Sequence, residues 1–128
     1  MRILLDSHAL VWFLTGNPRL SRKAGEAIVA SDAEVAVSAA SAWEIATKVR
    51  VGKWHDAETI AHDLDKALIE RDFTGLPITI EHGRLAGFLP GDHRDPFDRM
   101  LAAQAIVEDI PLVTADPAFR HFQVKVIW

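Results

Sequence analysis

Short runs of apolar residues alternate along the chain with longer segments in which apolar residues recur every three or four positions. The short runs predict buried strands, and the longer segments predict helices that place one face on a core. Alternation of strands and helices is typical of an α/β fold, in which a mostly parallel central sheet is flanked by helices on both faces. Extended segments are predicted at 2–5, 34–37, 76–80, 112–114 and 124–128, and helices at 7–14, 21–30, 39–51, 57–71, 81–88 and 96–107.

The chain of 128 residues predicts one domain, 1–128, without repeats or linkers. It contains no cysteine, which leaves no thiolate metal site or disulfide. Asp6 and His8 interrupt the first apolar run too early for a signal peptide. No apolar stretch approaches the roughly 18 residues that span a bilayer. We therefore expect a soluble, cytoplasmic protein.

Four acidic residues stand where apolar segments give way to predicted helix starts: Asp6, Glu44, Asp98 and Asp116. The carboxyl ends of parallel strands share one edge of a sheet, where open α/β folds bind ligands. Carboxylates that converge there repel one another unless a cation neutralises them. Oxygen ligands suit hard divalent ions such as Mg²⁺ or Mn²⁺. The pattern predicts metal-assisted chemistry on a phosphate.

Helix capping is the competing explanation for each acid taken alone. Asp95 and Asp116 are each followed by proline, as an N-cap aspartate often is, and Ser41 with Glu44 matches a capping box. Glu44, however, falls a turn or more inside its predicted helix, and Asp98 falls at the third position of the helix predicted at 96–107. A half-buried carboxylate is unfavourable without a compensating charge, so the joint pattern favours a cation site.

Several neighbouring side chains are candidates to hold a metal-bound water or grip a phosphate: Ser7, Ser38, Thr114, His8, His93, Asp95 and Arg99. The net charge of −4 does not exclude a nucleic-acid substrate. If four of the 18 acidic residues serve as metal ligands, the 14 that remain balance the 14 lysines and arginines.

Three expectations concern surfaces. Trp12 and Trp43 are expected in the core and Trp54 at the surface, beside a solvated basic patch of Lys48, Arg50 and Lys53. The helix at 7–14 carries five successive apolar residues, too many for one core-facing stripe. We expect a second copy or another protein to cover part of it.

Four segments in register resemble the PIN domain, and more closely the VapC-type toxins of bacterial toxin–antitoxin pairs. They are 4–9 (LLDSHA), 38–45 (SAASAWEI), 95–105 (DPFDRMLAAQA) and 112–116 (LVTAD). The resemblance implies an endoribonuclease that depends on Mg²⁺ or Mn²⁺ and cleaves RNA by attack of an activated water. It also implies a homodimer and a cognate antitoxin.

The resemblance places the acidic quartet on Asp6, Glu44, Asp98 and Asp116, and the hydroxyl positions on Ser7, Ser38 and Thr114. Asp95 is an extra acid, and the LAAQA that follows favours Asp98 as the third ligand. Two alternatives remain: a Mg²⁺-binding receiver-like signalling domain and a catalytically inactive PIN-like binding module. A receiver domain would carry paired acids after the first strand, where this chain has Asp6 and Ser7.

Overall fold

The computed structural model describes all 128 residues and shows one five-stranded sheet with helices between the strands. The strands are β1 (Arg2–Leu5), β2 (Glu34–Ser38), β3 (Thr74–Leu76), β4 (Leu112–Val113) and β5 (Val126–Ile127). The helices are α1 (Ser7–Thr15), α2 (Arg22–Val29), α3 (Ala39–Arg50), α4 (Glu58–His62), α5 (Leu64–Glu70), α6 (Ile80–Phe88) and α7 (Pro96–Glu108), with 3₁₀ turns at His55–Ala57 and Pro117–His121.

Every strand pairing is parallel, and the strand order is β3-β2-β1-β4-β5. The chain therefore adds β2 and then β3 on one side of β1, and afterwards adds β4 and then β5 on the other side of β1. A crevice forms at such a reversal, beyond the carboxyl ends of the two strands concerned, and ligands bind in it. In this sheet the reversal lies between β1 and β4, directly before Asp6 and Thr114.

Both faces of the sheet are buried, because successive residues of β1 belong to different cores. Ile3 and Leu5 join the core formed with α1, α2 and α3, whereas Leu4 joins the core formed with α7. All three side chains are at most 1% exposed. Two-sided burial explains why the strands are apolar runs rather than alternating patterns. The predicted fold class is confirmed, and the sheet is parallel throughout.

The single helix predicted at 57–71 is wrong, because the chain breaks at Asp63 into α4 and α5. Asp63 has φ −123° and ψ 33°, and its N–H donates to the Ile60 carbonyl three residues back. Aspartate is a weak helix former. The break lets Leu64 enter the first core, where it is only 8% exposed.

Neighbouring elements of the chain pack against much of the apolar surface of α1. Leu10 and Val11 are buried in the first core. Phe13 packs against Phe73 with ring centroids 5.8 Å apart, and Trp12 packs against Trp128 at 5.9 Å. Trp12, Phe13 and Leu14 remain partly exposed, so the expectation of a partner on this helix stays a prediction. No helix has the length and apolar character that a membrane crossing requires.

Candidate active site

Asp6 ends β1 and begins α1, which gives its carboxylate two fixed hydrogen bonds. Its Oδ1 accepts from the Ala9 N–H at 2.7 Å as the N-cap of α1, and its Oδ2 accepts from the Thr114 hydroxyl. Thr114 directly follows β4, so this bond crosses the crevice. Asp6 is only 6% exposed. Burial raises the pKa of Asp6 to about 6, although the bonds from Thr114 and Ala9 partly oppose that shift.

Glu44 is buried inside α3, and two neighbouring side chains hold its carboxylate. The Ser7 hydroxyl donates to Oε1, and the Lys48 ammonium donates to Oε2 at 2.7 Å. The N-cap of α3 is Ser38, whose Oγ accepts from the Ala40 N–H at 3.0 Å. Ser41 lies within the helix, so the capping-box explanation for Glu44 is wrong.

The two acids at the start of α7 have different positions. Asp95 is exposed and is the N-cap, and its Oδ1 accepts from the N–H groups of Phe97 at 2.9 Å and Asp98 at 3.1 Å. The Asp98 side chain is only 18% exposed, and its Oδ2 lies 2.8 Å from Nε2 of His93. Burial raises the pKa of Asp98 to about 6, and repulsion from Asp95, Asp116 and Glu44 adds to that shift.

Asp116 lies in the segment between β4 and the 3₁₀ turn Pro117–His121, at the same crevice as the other three acids. Its backbone N–H donates to the Thr114 hydroxyl oxygen at 3.1 Å, which links the last acid to the hydroxyl that holds Asp6. Its Oδ1 accepts from the Ala118 N–H at 2.9 Å and so caps the 3₁₀ turn. Asp116 is exposed. Its second carboxylate oxygen has no protein partner among these bonds.

The four acids of the predicted quartet line one cavity of about 90 Å³ at the crevice. Its walls are polar apart from one leucine: Asp6, Ser7, His8, Glu44, Lys48, Asp95, Asp98, Leu101 and Asp116. The four acids come from parts of the chain separated by more than a hundred residues. Parallel strand ends bring them together, as the sequence pattern predicts. Their catalytic role stays a prediction at this point.

The donor chemistry of this cavity fits a hard divalent cation. All the acidic donors are oxygen atoms, and burial raises the pKa values of Asp6 and Asp98, which makes their ionised forms unfavourable without a nearby cation. Lys48 is the one cation that lines the cavity, and it pairs with Glu44. No three acidic or imidazole side chains surround a common point closely enough to bind one ion. A cation would have to draw the carboxylates together.

Of the other predicted site residues, Ser7 and Thr114 hydrogen-bond to quartet acids, whereas Ser38 caps α3 and does not line the cavity. His8 lies at the cavity and packs on Trp54, with ring centroids 4.6 Å apart. Burial lowers the pKa of His8, and the nearby Lys48 charge lowers it further. His8 is therefore a neutral group at the mouth of an acidic pocket near pH 7.

The predicted phosphate grip of Arg99 requires correction. Its guanidinium donates to the carbonyls of Ala86 at 2.9 Å, His93 at 2.9 Å and Gly87 at 3.4 Å, and also to that of Leu89. Arg99 therefore ties the end of α6 and the loop after it to α7. Four of its five N–H donors are used by these carbonyls, and it does not line the cavity.

Sequence reasoning misplaced three further residues. Lys48 was expected on a solvated face, although its position four residues after Glu44 is the spacing at which helical charges pair. Trp43 was expected in the core, but it is 62% exposed. Trp54 was expected at the surface, but it is half-buried between His8 and Lys48. For the tryptophans, apolar neighbours in the sequence did not predict burial.

Comparison with known protein families identifies the fold. The profile of the PIN domain matches residues 3–125, nearly the whole chain. The chain belongs to the PIN domain family. The family resemblance noted in the sequence is confirmed. A comparison with curated protein sequences gives no significant match.

Solved structures share the fold of this PIN domain at low sequence identity. VapBC2 from Rickettsia felis, bound to a DNA fragment from their promoter, is similar with a TM-score of 0.73 and 20% identity over 98% of this chain and 97% of that one. FitAcB from Neisseria gonorrhoeae is similar with a TM-score of 0.67 and 19% identity over 97% and 95%. The chain thus spans essentially the full length of both.

Proposed function

We propose that this PIN domain is a divalent-metal-dependent endoribonuclease and acts as a VapC-type toxin. One observation carries the proposal: four carboxylates converge at the crevice between β1 and β4, and two of them have pKa values raised to about 6. Keeping neighbouring, partly buried carboxylates ionised costs stability, so their presence together favours a positively charged ligand. PIN domains are in general nucleases, which typically use divalent metals.

Asp6, Glu44, Asp98 and Asp116 would hold Mg²⁺ or Mn²⁺. The bound metal would supply a water of lowered pKa and would polarise the phosphoryl oxygen. The protein positions the ligands through their partners: Thr114 fixes Asp6, Ser7 fixes Glu44, and His93 fixes Asp98. Partners of this kind orient metal ligands and raise their affinity.

Lys48 has two roles in this proposal. Its ammonium neutralises Glu44 in the absence of metal, at an Nζ–Oε2 distance of 2.7 Å. It would also lie near the phosphate when RNA is bound, because it lines the same cavity. A flexible lysine is suited to such an exchange because its charge is compact and its stem can rotate.

The toxin role rests on the family resemblance and on the kind of complex in which similar folds are found. VapC-type toxins are inhibited by a cognate antitoxin and usually act as homodimers, so we propose both partners for this chain in the cytoplasm. The structures named VapBC2 and FitAcB share its fold over nearly the full chain. The antitoxin would cover the acidic groove.

The alternatives fare less well. A receiver domain has the strand order 2-1-3-4-5, whereas this sheet has β3 at its edge in the order β3-β2-β1-β4-β5. An inactive PIN-like module would have no need to retain four acids around one cavity.

Cleavage of RNA tests the reaction. We expect protein stripped with EDTA to be inactive on single-stranded RNA and to regain activity with Mn²⁺. An Asp98→Asn variant purified in the same way controls for contaminating ribonuclease and should stay inactive. Undiminished cleavage in EDTA would rule out the metal-dependent mechanism, and no cleavage under any condition would favour the inactive module.

The toxin role needs a separate experiment in cells. Induced expression of the wild-type chain should arrest growth, whereas Asp98→Asn should not. Co-expression of the protein encoded by the adjacent reading frame should relieve the arrest and co-purify with the chain. Metal-dependent cleavage without growth arrest would support the nuclease activity and contradict the toxin role.

A further inference from the structure

Two aromatic side chains outside both cores meet at the rim of the acidic cavity. Trp43 of α3 and Phe97 of α7 pack edge to face, with ring centroids 4.8 Å apart and an interplanar angle of 73°. Trp43 is 62% exposed and Phe97 is half-buried. Neither belongs to a hydrophobic core of the domain. Core packing therefore does not explain this pair.

Both residues of the pair are next in sequence to an acid that lines the cavity. Trp43 directly precedes Glu44, and Phe97 directly precedes Asp98. Neighbouring Cα atoms are about 3.8 Å apart, and consecutive helical residues point in directions about 100° apart. Glu44 and Asp98 thus point into the cavity, while the aromatic residue before each lies beside its mouth. The pair bridges the two helices that carry these acids.

The geometry leaves aromatic surface available for a ligand. Edge-to-face packing joins the edge of one ring to one face of the other, which fixes the rings without covering them. Trp43 has only two side-chain torsions to order, and Phe97 restricts them. A preorganised ring of this kind binds a flat partner with little loss of side-chain entropy.

We infer that Trp43 and Phe97 form a stacking platform for one base of single-stranded RNA next to the scissile phosphate. The inference rests on the proposed ribonuclease function and names the part of the substrate that this surface contacts. Bases of single-stranded RNA stack on aromatic side chains, and the interaction tolerates any base because each has a π-face. The platform therefore favours unpaired RNA without selecting its sequence.

The size of the surface favours a base over a protein partner. A stable protein interface buries about 800 Å² on each side around an apolar centre. A tryptophan and a phenylalanine bury roughly 150–250 Å² each even when covered completely. The nearest exposed large apolar residue along α3, Val51, follows Trp43 by about 12 Å of helix rise. The two rings together therefore fall short of the apolar centre that a stable protein interface needs, whereas a stacked base needs only the face of one ring.

RNA binding in the cleavage-deficient Asp98→Asn background tests the platform. With a fluorescent oligoadenylate as probe and Mg²⁺ present, adding Trp43→Ala should weaken binding about 5- to 150-fold. Trp43→Phe should restore most of the affinity. Phe88→Ala is the matched control, because Phe88 is 78% exposed on α6 and does not line the cavity; it should leave affinity unchanged.

An abasic probe distinguishes stacking from a structural effect. RNA that lacks the contacted base should bind the parent protein as weakly as intact RNA binds the Trp43→Ala variant, and the two losses should not add. Equal affinity of Trp43→Ala and its parent would overturn the platform, as would a change in oligomeric state caused by Trp43→Ala without a change in RNA affinity. If RNA binding depends on Trp43 but the wild-type protein shows no metal-dependent cleavage, the stacking platform is supported and the proposed ribonuclease reaction is contradicted.

Discussion

The two ends of helix α7 carry carboxylates whose pKa values are shifted in opposite directions. Asp98, in its first turn, has a pKa raised to about 6 by burial and by neighbouring acids. Glu108, in its last turn, accepts from Arg2 at 3.1 Å and lies 3.2 Å from Nε2 of His82, and these hydrogen bonds lower its pKa. Strand β1 joins the same two regions, since Arg2 begins it and Asp6 follows it.

The helix dipole alone would lower the pKa of Asp98 and raise that of Glu108, the reverse of the directions found. It favours a negative charge at Asp98 and disfavours one at Glu108, by about 0.3–1 kcal/mol each. Burial and neighbouring acids outweigh it at Asp98, and hydrogen-bond partners outweigh it at Glu108. Glu108 has two positively polarised donors, because His82 uses Nδ1 to accept from the Thr79 N–H and presents a proton on Nε2. Asp98 has one imidazole and three nearby acids.

The comparison separates a structural charge cluster from a functional one. The Arg2–Glu108–His82 network satisfies its charges within the chain and joins β1, α6 and α7. In the acidic cavity, Lys48 offsets the charge of Glu44, whereas Asp6, Asp98 and Asp116 have no lysine or arginine partner. Sites that must bind a cation are expected to carry such unfavourable electrostatics in the free protein.

The largest expected effect is on catalysis. Asp98→Asn should lower kcat for RNA cleavage about 100- to 1,000-fold, because it removes a charge that acts on the reacting phosphate through the bound cation. Glu108→Gln should leave kcat within about twofold, because Glu108 is far from the cavity along α7. Steady-state kinetics with Mn²⁺ measure both. Similar losses of kcat in the two variants would contradict the proposed distinction between the acidic cavity and the Arg2–Glu108–His82 network.

The second prediction concerns the pH dependence of stability without metal. The folded pKa of Asp6, about 6, exceeds the ordinary value of 3.8, so between these values the native state binds more protons than the unfolded state. The contribution of Asp6 is therefore most favourable below about pH 4 and is lost as pH rises through 6, by at most about 3 kcal/mol. Asp6→Asn, which keeps a capping side chain, should remove this loss in denaturant titrations with EDTA.

Glu108→Gln provides the control of opposite sign. The pKa of Glu108 is lowered, so its contribution is present at neutral pH and is lost on acidification. Glu108→Gln should therefore destabilise the protein at neutral pH and matter little in acid. If both variants shift the pH profile in the same direction, the assigned electrostatics are wrong.

The smallest effect is expected at Asp95. Asp95→Asn keeps an oxygen for the N–H groups of Phe97 and Asp98, and asparagine caps helices as well as aspartate does. Because Asp95 is exposed and serves as the cap, RNA cleavage should fall by no more than about threefold. Abolition of cleavage by Asp95→Asn together with retention in Asp98→Asn would reverse the assignment of the third ligand.

The sequence was sufficient, for a physical reason, to predict a mostly parallel sheet and the convergence of the acids, although β3 lies at Thr74–Leu76 and not at 76–80. Parallel strands have their carboxyl ends at one edge, so an acid that follows such a strand has a predictable position. Asp6 directly follows β1, Asp116 lies three residues after the end of β4, and Glu44 and Asp98 lie within the first two turns of the helices that border the same crevice. Secondary-structure periodicity was enough to place all four.

Long side chains were harder to place, because their contacts depend on packing between distant segments. Arg99 has the charge and position of a phosphate ligand, yet it turns toward carbonyls at the end of α6. Trp12 and Phe13 have the appearance of an unpartnered surface, yet Trp128 and Phe73 pack against them from remote parts of the chain. Neither arrangement has a signature in local spacing.

Binding of Mn²⁺ to the metal-free protein tests the central claim most directly. Isothermal titration near neutral pH should show binding by the wild type, at least about tenfold weaker binding by Asp98→Asn, and unchanged binding by Glu108→Gln. That result would establish that the uncompensated carboxylates of the cavity, and not acidic residues in general, form the cation site. Equal Mn²⁺ affinity of wild type and Asp98→Asn, or no binding by the wild type, would contradict the account.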